Sequence, residues 1–182
     1  LIDFESLKET ITSATKAVIL VHFSGLLHED INEIKNYLEE RNIYLIEDAA
    51  HAPGASFNNK KAGTFGDLSC FSFFSTKNMT TGEGGMITSN NSDLLKICSS
   101  IRNRGIDIDK ESESFIRLGG NYRMTEFQAL LGKTQLNRLD EINSTRNEIA
   151  NIYMQNLYSC FEEGLIEYPI VKDGIYHAYW RF

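Results

Sequence analysis

The chain has 182 residues, of which 42% are hydrophobic, and its formal net charge is −7. A chain of this length can bury the core of one main folded body. Its 18 basic residues are scattered, so no basic face for a nucleic-acid backbone is expected. No apolar stretch is long enough to cross a bilayer, and residues 1–10 lack the pattern of a secretion signal. We therefore expect a cytoplasmic protein that has neither nucleic acid nor a membrane among its partners.

The cysteines and histidines form no recognisable metal or disulfide pattern. The three cysteines are Cys70, Cys98 and Cys160. An odd number at wide spacing is unlike a disulfide framework, so we predict reduced thiols in the core. His22, His28 and His177 are too far apart for the ligand spacing of a zinc site. We predict structural or surface roles for these histidines and no metal.

Helices and strands alternate in the first part of the chain. Residues 4–11 have helical apolar spacing, and residues 17–21 form a compact apolar run typical of a strand buried on both faces. A second helix over residues 29–42 leads to a strand over residues 43–46. A strand, a helix and a strand in this order predict a βαβ unit, which places Glu47 and Asp48 at the functional edge of a parallel sheet.

The alternation continues in the rest of the chain. In order, the pattern predicts a Gly- and Asn-rich loop, a strand, a polar turn, a strand, a helix and a long helical region, over residues 53–66, 68–74, 75–85, 86–88, 92–101 and 125–157. Asn91 or Ser92 is expected to cap the first of these helices, and Thr125 the second. We predict a break near residues 140–144. The fold class is therefore α/β, with a mostly parallel sheet flanked by helices.

A lysine follows the third predicted strand. Residues 71–78 read Phe-Ser-Phe-Phe-Ser-Thr-Lys-Asn, so that hydroxyl groups and Lys77 come where the strand ends. The next residues, 80–85, are rich in Gly and Thr, and backbone N–H groups in such a loop can approach an anion closely. A partly desolvated lysine forms Schiff bases with carbonyl compounds. Taken alone, a solvent-facing turn lysine is the commoner interpretation of this pattern.

Two acids follow the second predicted strand. Glu47 and Asp48 precede the small residues Ala49 and Ala50, beside which a flat group can pack. A lone acid at a strand end is usually a cap or an ion-pair partner. A pyridoxal cofactor, however, needs a lysine for its aldehyde, a carboxylate for its ring nitrogen and donors for its phosphate. All three kinds of group occur here at strand ends, and together they favour such a site.

The ordered motifs resemble the DegT/DnrJ/StrS family of sugar aminotransferases. The resemblance covers essentially the whole chain and rests on several motifs in order, at residues 47–52, 66–67, 71–73, 77–78, 82–85, 102–105, 120–124, 127–132, 135–136 and 176–179, with His22 and Gly25. Several motifs in order are harder to match by accident than one glycine-rich loop.

The resemblance implies a fold-type-I transferase with pyridoxal 5′-phosphate as its cofactor. Lys77 is then the residue that holds the cofactor covalently and later moves a proton, and Asp48 faces the pyridine nitrogen. Ser72 binds the phosphate, and His51 lies near the cofactor ring. Asn121 matches a residue that reaches the phosphate in the neighbouring subunit's site, so a homodimer with shared active sites is implied.

The implied reaction transfers an amino group, with glutamate as donor, to a keto group of a nucleotide-linked sugar in amino-sugar biosynthesis. Some relatives carry a histidine in place of the lysine and dehydrate their substrate, so the presence of Lys77 favours amino transfer. Glu83 and Arg123 lie in matching motifs and are further candidates for substrate binding. Arg123 meets either an anionic substrate or only a local acid.

The chain begins at Leu1 without a methionine and ends in a strand-like run over residues 179–182, so both ends are expected to interrupt a longer protein. Residues 1–140 are expected to be the central part of the large cofactor-binding domain. Residues 141–182 are expected to be a connecting helix and the start of a small carboxyl-terminal domain. Two alternatives stay open: a non-catalytic protein that binds the cofactor or a sugar, and an inactive fragment of the enzyme.

Overall fold

The computed structural model describes residues 1–110 and 114–182. Its main sheet contains β1 (Ala17–Val21), β2 (Tyr44–Asp48), β5 (Leu68–Ser72) and β6 (Gly85–Thr88), side by side in that order. The first three strands are parallel, and β6 runs antiparallel to β5. The predicted α/β class with a mostly parallel sheet flanked by helices is confirmed.

The described helices are α1 (Phe4–Thr10), α2 (Ile31–Glu39), α3 (Ser92–Arg102), α4 (Glu126–Leu136), α5 (Leu139–Asn156) and α6 (Tyr158–Glu162). Helix α2 connects β1 to the parallel strand β2, as the βαβ prediction requires. Asn91 caps α3 by accepting from the N–H of Asp93 and of Leu94. Thr125 and Gln128 form a capping box at α4. Both predicted capping positions are therefore confirmed. No helix in the described ranges is long and apolar enough to span a membrane.

The main core lies on one face of the sheet. Val18 and Leu20 of β1 point into it, and they meet Ile31, Ile34 and Leu38 of α2. These three helix residues repeat at a spacing of three and four, which places them on one side of the helix. The helix is thereby fixed against the sheet, and β2 is held in register beside β1.

The opposite face of the sheet is largely open, so the prediction of a strand buried on both faces is wrong for β1. Its residues alternate between exposed and buried, and Ile19 is 62% exposed. Cys70 of β5 lies on the same open face and is exposed rather than in the core. Partial burial, the charge of Asp48 and the nearby Cys98 of α3 raise the pKa of the Cys70 thiol. Cys98 and Cys160 are half-buried, and all three thiols are free.

A second, small sheet joins the loop after β2 to the end of the chain. It is formed by β3 (Ser56–Phe57), β4 (Lys60–Lys61) and β7 (Ile175–Tyr176), all antiparallel. The prediction of an irregular loop over residues 53–66 missed the β3–β4 hairpin. The final residues, 179–182, are not a strand, contrary to the prediction. Their backbone instead bonds to the loop after β1, where Trp180 N–H donates to the oxygen of Ser24.

The helical region after Thr125 breaks at Asn137 and Arg138, a few residues before the predicted position. The residues of the expected break, 140–144, include polar ones that disfavour helices. Asn143 is one of them, yet it lies fully buried within α5. Its side-chain amide donates to the oxygen of Pro53 and accepts from Asn78. These tertiary hydrogen bonds outweigh the local preference of asparagine.

His177 is buried beside the second sheet and stays neutral until the pH falls to about 4. Burial lowers its pKa from 6.5 to about 4. Its Nδ1 accepts the N–H of Tyr179, which requires the unprotonated nitrogen. Its ring also stacks on that of Tyr179, with centroids 3.9 Å apart. Protonation of His177 therefore opposes the folded arrangement of the chain end.

We expect His177 to make the protein less stable as the pH falls from 6.5 to 4. In that window the unfolded histidine binds a proton and the folded one does not, so the free energy of unfolding increases with pH. The predicted contribution is about 3 kcal/mol, since one pKa unit corresponds to about 1.4 kcal/mol. Urea unfolding at several pH values tests this in the wild type and in His177→Asn, whose side-chain oxygen can replace Nδ1 as acceptor. An unchanged pH dependence in the variant would contradict the assignment.

Candidate active site

The predicted site residues of β2 and β5 meet at the carboxyl-terminal edge of the sheet. Asp48 is the last residue of β2 and pairs with Cys70 of β5, two residues before Ser72 ends that strand. Lys77 lies in the turn between β5 and β6, where its N–H donates to the oxygen of Phe74 at 3.0 Å. Parallel strands present their carboxyl ends at one edge, which brings these residues of separate segments together.

The neighbouring acid, Glu47, lies on the opposite face of β2 and is fully buried. Its carboxylate accepts from the N–H groups of Gly63, Phe65 and Gly66, at 2.6 to 2.8 Å. The Ser69 hydroxyl also donates to it, and Nε2 of the buried His22 lies 2.8 Å away. Burial alone raises the pKa of Glu47, but the bonds from His22 and from these backbone groups hold it below its usual value.

This network holds the loop before β5 against the buried face of β2, so Glu47 is a structural residue. The predicted structural role of His22 agrees with it. The strand pattern alone showed the two acids together without separating their roles, and the family resemblance alone singled out Asp48. The alternation of side chains along a strand was the signal that could have done so.

The turn that carries Lys77 is fixed on both sides. Phe73 N–H donates to the oxygen of Gly84, and Thr81 N–H donates to the oxygen of Phe73. The buried side chain of Asn78 donates to the oxygens of Asn143 and Ala178, at 2.8 and 2.7 Å. The turn is thus tied to α5 and to the end of the chain, which limits the positions open to the lysine beside it.

Lys77, Asp48 and His51 lie within electrostatic range of one another. Partial desolvation lowers the pKa of Lys77, the charge of Asp48 opposes this, and Arg181 adds to it. Partial burial likewise lowers the pKa of His51. The charges of Lys77 and Arg181 lower it further, whereas the charge of Asp48 raises it. The result is a lysine that releases its proton more readily than one in water, beside a carboxylate.

The predicted phosphate contact, Ser72, lies at the end of β5, next to the turn. Its hydroxyl oxygen accepts the N–H of Phe74 at 3.3 Å. His51 is positioned from the other side, because its Nδ1 accepts the N–H of Ser24 at 3.3 Å. Gly25 follows in the same segment, where an added Cβ would come within 2.8 Å of the oxygen of His51. Only glycine allows this close approach.

Trp180 is part of this site although the sequence did not indicate it. Its indole stacks on the His51 ring, with centroids 3.8 Å apart, and the Lys77 amine lies 4.4 Å from its centre. Its N–H donates to the oxygen of Thr76 at 2.9 Å. The only sequence signal was that the single tryptophan precedes the basic residue Arg181, in a run interpreted as a strand.

The remaining predicted residues make no direct hydrogen bond to Lys77 or Asp48 in the part of the chain that the structure describes. Arg123 donates through Nε to the side-chain oxygen of Asn121 at 2.8 Å, so its partner is an amide rather than a local acid. The side chain of Glu83 is exposed, and its backbone oxygen accepts from Gln128. Within residues 1–110 and 114–182, no hydrogen bond joins Glu83, Asn121 or Arg123 to Lys77 or Asp48. The same ranges contain no group of His, Cys, Asp and Glu suited to a metal ion.

The fold is that of an aminotransferase family. Residues 1–182 match the DegT/DnrJ/EryC1/StrS aminotransferase family, and the chain belongs to it. It is 39% identical to GDP-perosamine synthase of Vibrio cholerae, over 98% of this chain and 47% of that protein. The resemblance inferred from the motifs is confirmed.

Solved structures agree with the sequence comparison. The aminotransferase from Psychrobacter cryohalolentis has a TM-score of 0.90 and 30% identity, over 97% of this chain and 48% of its own. An Escherichia coli GDP-4-keto-6-deoxy-D-mannose-3-dehydratase, solved with bound hydrated PLP, has a TM-score of 0.83 and 30% identity. That similarity covers 98% of this chain and 49% of the dehydratase. The chain thus spans about half the length of the relatives it matches.

Proposed function

We propose that this protein transfers an amino group from glutamate to a keto group of a nucleotide-linked sugar, with pyridoxal 5′-phosphate as cofactor. The observation that carries the proposal is the position of Lys77, partly desolvated and within electrostatic range of the Asp48 carboxylate. Lysine is the residue that such a transferase needs, whereas the dehydrating relatives considered above carry a histidine there. Membership of the aminotransferase family supports the same reaction.

The donor set suits pyridoxal phosphate. Lys77 offers an amine for the aldehyde, Asp48 a carboxylate for the ring nitrogen, and Ser72 a hydroxyl for the phosphate. His51 provides a flat ring beside them. When bound, the cofactor supplies an electron sink for the substrate carbon. The E. coli dehydratase of similar fold binds PLP, which supports this assignment.

The protein's own groups then have distinct tasks. Asp48 keeps the ring nitrogen protonated, because a negative charge next to a base favours the charged form. Lys77 moves a proton between the substrate carbon and the cofactor carbon once it is free, for which a lowered pKa is suitable. Ala50 N–H bonds to the carboxylate of Asp48 at 3.0 Å and so orients it.

We also propose a homodimer whose sites are completed by the neighbouring subunit. Asn121 is exposed, and no hydrogen bond among the described residues joins it to Lys77, which is consistent with a residue that reaches the phosphate of the other site. In the same stretch of chain, Leu118 is 95% and Phe127 87% exposed. Leu130 of α4 is 67% exposed. These apolar side chains are accessible to a neighbouring subunit. Arg123 and Glu83 are kept as proposed substrate contacts.

Two further expectations are kept as proposals. The first is a cytoplasmic location. The second is the division of the chain near residue 140, with a cofactor-binding part before it and the start of a small domain after it.

The test is a transfer assay with the protein expressed from its complete gene. Glutamate and a panel of GDP- and UDP-linked keto sugars are supplied together with pyridoxal phosphate. We expect 2-oxoglutarate to form in equal amount with an amino sugar, and the panel then identifies the nucleotide. Cofactor binding without turnover on the whole panel would favour the alternative of a non-catalytic binding protein.

A further inference from the structure

The indole of Trp180 is held in place by its own segment of chain. The backbone N–H of Trp180 donates to the backbone oxygen of Ser24 at 2.9 Å, and the Ser24 hydroxyl donates to the oxygen of Arg181 at 2.7 Å. Arg146 of α5 donates to the oxygen of Tyr179 at 3.0 Å. The segment is thus fixed to the loop after β1 and to α5, and the ring is presented to the site from a defined direction.

Three separate contacts connect this ring to the proposed cofactor residues. The indole N–H bonds to the oxygen of Thr76, which directly precedes Lys77 in the chain. The Lys77 amine lies over the ring at 4.4 Å from its centre. The His51 ring is stacked on it, with an angle of only 16° between the planes. One side chain therefore touches the lysine, its backbone and the neighbouring flat ring.

These contacts have opposite effects on the charge of the lysine. A ring face attracts a cation, which favours the protonated amine. The same ring excludes water from the amine, which favours the neutral form. Desolvation is the largest influence on the Lys77 pKa and lowers it, and the ring that covers the amine is that of Trp180. The bond to Thr76 also restricts the backbone from which the lysine side chain extends.

We propose that Trp180 is a positioning residue that holds Lys77 and His51 for attachment of the cofactor. This inference rests on the proposed function, since it concerns how the same lysine is made ready. Trp180 itself takes part in no bond-making step. Its effect is to keep the amine shielded and the His51 ring oriented.

The inference is tested first without the cofactor. Lys77 in the protein from the complete gene is labelled with a trace amine reagent at a series of pH values, and its reaction is followed by mass spectrometry. In Trp180→Ala we expect the amine to react about tenfold more slowly at pH 8, because a one-unit rise in pKa lowers the neutral fraction tenfold. The matched variant Trp180→Phe keeps a ring over the amine but lacks the N–H, and it should retain most of the wild-type profile.

A second measurement uses the cofactor. Trp180 is the only tryptophan of this sequence, and the emission that the wild type shows in excess of Trp180→Ala therefore reports on the site. Pyridoxal phosphate attached to Lys77 should quench that emission in the wild type. In Trp180→Ala, borohydride-fixed attachment should need about tenfold more cofactor for half-saturation, corresponding to about 1.4 kcal/mol. Tyr158→Ala removes an exposed aromatic of α6 and should behave as the wild type.

The two hypotheses fail in different ways. If the wild type does not attach the cofactor at Lys77, the proposed function is wrong, whatever the labelling shows. If the wild type attaches it and Trp180→Ala matches it in both labelling profile and half-saturation, the positioning role is wrong. Circular dichroism of each variant separates loss of positioning from unfolding, because an unfolded variant changes the whole spectrum. Should Trp180→Ala unfold, the intermediate variant Trp180→Leu replaces it in both measurements.

Discussion

Replacing Lys77 by alanine is expected to abolish the covalent attachment of pyridoxal phosphate and to reduce amino transfer by about a thousandfold or more. Lys77 lies within electrostatic range of both Asp48 and His51. The measurement is the absorbance band of the bound cofactor in the protein from the complete gene. Borohydride reduction followed by peptide mass spectrometry then locates the attachment.

Two variants control this result. Lys77→Arg keeps a positive charge but has no amine for the aldehyde, and it should lose the band as completely as the alanine variant. Lys16→Ala removes an exposed lysine before β1 and should keep both the band and the activity. If Lys77→Ala retained the band and the activity, the assignment of the cofactor lysine would be wrong.

The largest effect on stability is expected at Glu47. Alanine there removes the acceptor for three backbone N–H groups and the Ser69 hydroxyl, all buried, and the partner of His22. Breaking such a buried charged network costs about 3–5 kcal/mol. Urea unfolding of the wild type and of Glu47→Ala should show this difference in the free energy of unfolding. Such a loss is a large fraction of the about 5–15 kcal/mol by which a protein of ordinary stability is held folded.

Glu47→Gln is the sharper comparison, because glutamine keeps the volume but replaces one acceptor oxygen by a donor. It should lie between the wild type and the alanine variant. The control is Glu33→Ala on the exposed side of α2, for which we expect a change within about 0.5 kcal/mol. A loss below 1 kcal/mol in Glu47→Ala would show that the carboxylate does not hold the loop.

The sequence was sufficient for the parts of the fold that depend on local pattern. The strands β1, β2, β5 and β6 and the caps of α3 and α4 follow from apolar runs and capping residues. The grouping of Asp48, Ser72 and Lys77 also followed, because parallel strands must present their carboxyl ends at one edge. The motifs added the family, which the comparisons confirm.

What the sequence missed depends on contacts between distant segments. Asn143 remains helical because Asn78 and Pro53 satisfy its amide, and neither lies near it in the chain. Trp180 reaches Lys77 across about a hundred residues. The exposure of Cys70 depends on which face of the sheet the helices cover. No local pattern contains this information, since a propensity describes only neighbours along the chain.

The last two residues of β2 favour a single register of this strand in the sheet. Glu47 and Asp48 point to opposite faces, so a slip of one residue would exchange them. The carboxylate that satisfies the loop would then turn toward the site, and a shorter one would turn into the buried network. The register of β2 therefore determines both the buried network of Glu47 and the position of Asp48. When Asp48 faces the site, the N–H groups of the loop before β5 bond to Glu47 on the other face.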